Sequence, residues 1–64
     1  MSDAARCERI EIVRVAEGWL VTEGGRLAGH FETVETAYQQ ALAICGDLFD
    51  RGVRSRVYEL SRAA

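Results

Sequence analysis

Thr33-Val34-Glu35-Thr36-Ala37-Tyr38-Gln39-Gln40-Ala41-Leu42-Ala43-Ile44-Cys45-Gly46-Asp47-Leu48-Phe49-Asp50 sets the architecture of this chain. Val34, Ala37, Tyr38, Ala41, Leu42, Ile44, Cys45, Leu48 and Phe49 recur at the three- and four-residue intervals that gather side chains on one side of an α-helix. Thr33 offers its hydroxyl as an N-cap, and Glu35 puts a carboxylate near the positive end of the helix dipole. Gly46 falls on the polar side of the helical wheel and is expected to be crossed at modest cost. Gly52, preceded by Arg51, is the expected stop.

Ahead of the helix everything reads as β. Residues 10 to 15 are dense in β-branched side chains and end at Ala16-Glu17-Gly18, a three-residue connection with glycine where φ can be positive. Residues 19 to 23 form a second strand, and Gly24-Gly25 suits a two-residue primed turn into a third, residues 26 to 31. Behind the helix, residues 54 to 60 contain Val57 and Tyr58 and read as a fourth strand. The sequence thus predicts an α+β fold of order β-β-β-α-β, a three-stranded antiparallel meander plus a fourth strand, with one helix packed on one face of the sheet. After three strand reversals and a returning helix, the fourth strand should run parallel to whichever of strands one and three it joins. Residues 1–9 and 61–64 are expected to be flexible ends of a single domain spanning 10–60.

A register follows from the turns. If Val15 faces Trp19 and Glu23 faces Arg26, the two-residue period of strands assigns every side chain to a face. One face then carries Ile10, Ile12, Leu20, Leu27 and Phe31, with Gly29 leaving room for the helix. The other carries Val13, Val15, Trp19, Val21, Ala28 and His30. One helix covers one face, so the second apolar face has three explanations: a register displaced by a bulge, the fourth strand or the termini folded over it, or an interface. The expectation is an interface, most simply with a second copy of the chain. The expected interface residues are Val13, Val15, Trp19, Val21 and Tyr58, with Arg54, Arg56 and Arg62 as a charged rim.

Size supports a need for such a partner. A domain of 64 residues buries only about 60% of the surface its unfolded chain exposes. Disulfides and metals are not expected to compensate, because Cys7 and Cys45 stand alone and His30 is the only histidine. Cys45 falls in the apolar stripe of the helix, as a small core residue does. Without a membrane-length apolar run or a leader pattern, the expected setting is cytoplasmic.

Charge is uneven. Residues 1 to 50 hold nine acids and four arginines, a net of −5, whereas residues 51 to 64 hold Arg51, Arg54, Arg56 and Arg62 against Glu59, a net of +3. Lysine and proline are absent. His30 has no nucleophile or carboxylate pair that spacing would bring beside it, and Glu23-Gly24-Gly25-Arg26 is hairpin chemistry rather than a phosphate loop. No enzyme activity, cofactor or metal is therefore expected.

Three resemblances bear on function. Gly29-x-Phe31-x-Thr33-x-Glu35-x-Ala37 resembles the stretch entering the helix in the plant ethylene-response-factor DNA-binding domain and its phage integrase relatives. That resemblance implies a sheet laid in the major groove, with Arg14, Trp19 and Arg26 as contacts. The acid-rich strands point away from nucleic acid, leaving the C-terminal arginines as the remaining phosphate-binding group. Gly18-Trp19-Leu20-Val21 followed by Thr33-Val34-Glu35-Thr36-Ala37 resembles a family of short uncharacterised bacterial domains across about residues 10 to 60. The order of elements is also similar to the HicB antitoxin domain, which implies neutralisation of a small RNase. With the acidic first 50 residues, the alternative is a small acidic inhibitor or antitoxin-like protein that blocks a nuclease or nucleic-acid-binding enzyme. The expectation that follows from the open face is a small non-enzymatic protein-binding domain whose partner is a second copy of the chain or another protein.

Overall fold

The computed structural model describes residues 7–61. Its elements are β1 (Cys7–Val15), β2 (Gly18–Glu23), β3 (Arg26–Phe31), α1 (Val34–Asp50) and β4 (Arg54–Ser61). The four strands lie in the order β3-β2-β1-β4, with β2 antiparallel to both its neighbours and β4 parallel to β1. This is the expected α+β fold, and β4 joins strand one rather than strand three. Strand structure starts earlier than expected, because Cys7, Glu8 and Arg9 pair with Arg54, Ser55 and Arg56. Ser61 likewise belongs to β4 rather than to a loose end. Positions 1–6 and 62–64 of the expected flexible ends lie outside the described residues.

Both ends of α1 are closed by the residues that the sequence offers for it. The Thr33 hydroxyl accepts the Thr36 N–H at 3.3 Å, and the Thr36 hydroxyl donates to the Thr33 carbonyl at 3.0 Å. At the other end the Gly52 N–H donates to the Phe49 carbonyl at 2.9 Å and the Val53 N–H to the Leu48 carbonyl at 2.8 Å. This pair of bonds is a Schellman motif, and Gly52 takes the positive φ of 79° that it requires. Val53 then packs against the same cluster as Leu48.

The register departs from expectation at two points, and each has a local cause. Ala16 and Glu17 keep negative φ, while Gly18, at φ 128°, turns the chain and is itself the ladder partner of Val15. Glycine counts as a strand residue here, so Trp19 moves one step along and pairs with Arg14 instead of Val15. A one-residue slip exchanges the faces of a whole strand. Trp19 and Val21 therefore join Ile10 and Ile12, and Leu20 pairs with Val13 on the other side.

The second departure is a bulge in β3. Val21 pairs with Gly29 but Thr22 pairs with Leu27, so Ala28 is the extra residue. The bulge restores Gly29 and Phe31 to the helix side, while Leu27, which precedes it, follows Thr22 to the other. Gly29 is needed where it stands, because a Cβ there would meet the Phe31 ring at 2.8 Å.

The core lies between α1 and one face of the sheet. Ile10, Ile12 and Val21 are wholly buried against Ala37, Ala41 and Leu48 of the helix. Trp19, Ala28, Phe31, Tyr38, Ile44, Cys45 and Val53 pack around them, partly buried. Alanines at 37 and 41, one turn apart, let the helix approach the sheet closely.

Candidate functional surfaces

The face of the sheet away from α1 has no covering layer among the described residues. Following the ladder, it presents Arg9, Glu11, Val13 and Val15 from β1, Leu20 and Thr22 from β2, Leu27 and His30 from β3, and Arg56, Tyr58 and Leu60 from β4. Val13 is only 4% exposed, with Leu20 and Leu60 flanking it on the neighbouring strands. Val15, Leu20, Tyr58 and Leu60 are half-buried. The result is an apolar centre held flat by the sheet.

Polar groups bound that centre at both ends. At one end Arg9 bonds to Glu11 and stacks over the Tyr58 ring, its guanidinium carbon 4.0 Å from the ring centroid. Arg54 and Arg56 stand exposed beside it on β4. At the other end His30 Nε2–H donates to the Glu17 carbonyl at 2.9 Å, which ties β3 to the first turn. Thr22 reaches Glu11 across the β1–β2 ladder at 3.5 Å.

Of the expected interface residues, the structure brings Val13, Val15 and Tyr58 together on this open face and removes the other two. Val21 is wholly buried beneath α1, and Trp19 packs against the core cluster on the same side, beside Arg14 at 5.8 Å. The slip at Gly18 is the cause, and Leu20 and Leu60 occupy the positions that Trp19 and Val21 were expected to fill. Arg54 and Arg56 stand at the arginine end, whereas Arg62 lies outside the described residues. Arg14 and Trp19 face the helix side, so the groove contacts implied for Arg14, Trp19 and Arg26 do not project from the open face.

A second exposed apolar region was hidden in the helix pattern. Leu42 is 63% exposed, Phe49 79% and Val57 36%. The nine apolar positions of α1 span an arc of about 160° at 100° per residue, wider than the stripe that one sheet face needs. Ala37, Ala41, Ile44 and Leu48 take the half that faces the core, leaving Tyr38, Leu42, Cys45 and Phe49, at intervals of four, three and four, along the flank. That flank lies over β4, because the Tyr38 hydroxyl donates to the Glu59 carboxylate at 2.7 Å. The same bond raises the Tyr38 pKa above the ordinary tyrosine value, with desolvation and the Glu59 charge adding to it.

Below this flank, Cys45, Phe49 and Val53 join Cys7, Arg54 and Tyr58 in lining an open groove of about 770 Å³ at the starts of β1 and β4. Cys7 and Cys45 are both free thiols. Among the described residues no three His, Cys, Asp or Glu side chains are grouped to hold a metal, and no helix is long and apolar enough to cross a membrane. Comparison with protein-family models, with curated proteins and with solved structures finds no match for this chain.

Proposed function

We propose that the chain is a small, non-enzymatic protein-binding domain whose open sheet face is covered by a partner. The observation that carries this reading is the patch of Val13, Val15, Leu20, Tyr58 and Leu60 on a sheet face with no second layer among the described residues. Contiguous apolar surface framed by polar groups marks interaction sites more often than it marks the surface of a free monomer. Tyr58 is the aromatic anchor at the arginine end of the patch, pre-positioned by Arg9 on its ring. The arginine end of the patch, Arg9, Arg54 and Arg56, suits a partner surface with an apolar middle and carboxylates at one margin.

Photo-cross-linking tests the reading. A benzoylphenylalanine placed at Leu20 should give a discrete adduct in cells of the source organism, and Leu60→Glu should abolish it. An adduct with a second copy of the chain would make the partner the chain itself. Absence of any discrete adduct from position 20, with adducts forming from an equivalent probe at Glu35, would overturn the reading.

A further inference from the structure

The outer edge of β4 and the flank of α1 above it form one surface, and its geometry points to a second copy of this chain as the occupant. The inference rests on reading the chain as a protein-binding domain, but not on the open face being where binding occurs. β4 is an edge strand over Arg54–Ser61, with its outward backbone groups unpaired by any strand among the described residues. Natural domains blunt such edges with inward charges, bulges or proline. This one carries Arg54, Arg56 and Glu59 as exposed charges but sets Val57 among them at its middle, on the helix side. Three of the four large apolar side chains most exposed to solvent, Leu42, Phe49 and Val57, belong to this one surface.

Position along the strand makes these residues converge. α1 runs antiparallel to β4, with Tyr38 bonded to Glu59 at one end and the Val53 N–H bonded to the Leu48 carbonyl at the other. From Tyr38 to Leu42 the helix rises about 6 Å, the length of about two strand residues, which places Leu42 level with Val57. A two-fold axis perpendicular to the sheet through Val57 would therefore bring Val57 against the partner's Val57, with Leu42 facing the partner's Leu42 above it.

Side-chain pairing selects that axis over its neighbours. Antiparallel β4 strands related by such an axis must pair residues on the same face, so the axis passes through a residue or its pair partner at even register. Centred on Val57, the pairs are Arg56 with the partner's Tyr58, Ser55 with the partner's Glu59, and Arg54 with the partner's Leu60. Each occurs twice by symmetry. Arg56 would then stack on the opposite margin of a ring that already holds Arg9. Centred on Arg56, two arginines would meet directly. Centred on Tyr58, Val57 would lie against the partner's Glu59. Of the three, only the Val57 register sets Val57 against an apolar side chain and Ser55 against the Glu59 carboxylate. It produces an eight-stranded sheet with both helices on one side and both open faces, uninterrupted, on the other.

Sedimentation equilibrium of the full chain should show a monomer–dimer equilibrium at micromolar concentration. Val57→Glu sets two carboxylates against each other on the axis, and it should raise the dissociation constant by at least about thirtyfold, the factor carried by a central hot spot. Leu42→Glu should do the same, while circular dichroism shows both variants folded. In a Cys7→Ser, Cys45→Ala background, Val57→Cys should cross-link to a dimer on oxidation and Leu27→Cys, on the far edge, should not. A chain that stays monomeric overturns the inference and leaves the open-face reading standing. A dimer dissolved by Leu20→Glu but untouched by Val57→Glu overturns it too, and assigns self-association to the open face.

Discussion

Single residues carry much of this fold through backbone geometry. Gly52 sits at φ 79° with open space where a Cβ would go, so Gly52→Ala changes only the cost of a left-handed backbone. It should destabilise the domain by about 1 kcal/mol in urea unfolding, with an unchanged slope. Gly18 is different in kind, since a Cβ there would lie 2.4 Å from the Phe31 carbonyl oxygen. Gly18→Ala should cost well over twice as much in the same measurement, because backbone rather than a flexible side chain blocks it. Tyr38 offers a chemical reading of the helix–β4 contact. Its hydroxyl must stay protonated to donate to Glu59, which holds the folded pKa above that of the unfolded chain. The contribution is therefore complete below the ordinary tyrosine pKa and is lost as pH rises through the elevated one. In a Tyr58→Phe background, ultraviolet titration should place the phenol midpoint above 10.0, and Glu59→Ala should lower it. An unshifted midpoint would mean that the bond does not persist in solution.

Among the elements, α1 and the Gly24-Gly25 hairpin were legible because their signals are local. The glycines at 24 and 25 both take positive φ, 59° and 87°, and set Glu23 opposite Arg26 as a primed turn does. The first hairpin was not legible to the residue. Ala16-Glu17-Gly18 can close as a three-residue loop or as a two-residue turn with Gly18 in the ladder, and the two differ by one step. Hydrophobicity could not arbitrate, since Trp19, Leu20 and Val21 are apolar in either register. The bulge at Ala28 left no mark in the sequence beyond the small residues Ala28 and Gly29. Stability measurements test the register directly. Val21→Ala removes buried methyl groups and should cost about 2 kcal/mol, whereas Leu20→Ala, on the open face, should cost about half of that or less despite deleting more carbon. The reverse order would restore the register that the loop length first suggests. For the candidate site the same slip decides everything: Val13, Val15 and Tyr58 keep their face because β1 and β4 set it, and Trp19 and Val21 lose theirs because β2 follows Gly18.

At the scale of the whole molecule, a single helix and a four-stranded sheet leave two surfaces uncovered among the described residues, the far face and the β4 side. Only the first was visible from counting layers. The second came from an apolar arc on α1 wider than the sheet it covers, which a helical wheel contains but which acquires meaning only once Tyr38 is seen to point toward Glu59. The two surfaces are compatible, because edge pairing at β4 consumes neither open face and instead sets two of them side by side. A partner bound to one would then find a second site on the same side of the dimer, so bivalent partners would gain avidity without new contacts. Coupling of folding to assembly gives this picture a measurable consequence. If the dimer is the folded form at working concentrations, each tenfold dilution removes about 1.4 kcal/mol per dimer, which over the unfolding entropy of two such chains lowers the melting temperature by about 5 °C. Val57→Glu and Leu42→Glu should abolish that dependence while Leu20→Glu preserves it. Because pairing of folded copies must stabilise them by mass action, a melting temperature independent of concentration in the unmodified chain would mean that the dimer has dissociated before the transition and that the monomer is the species that unfolds.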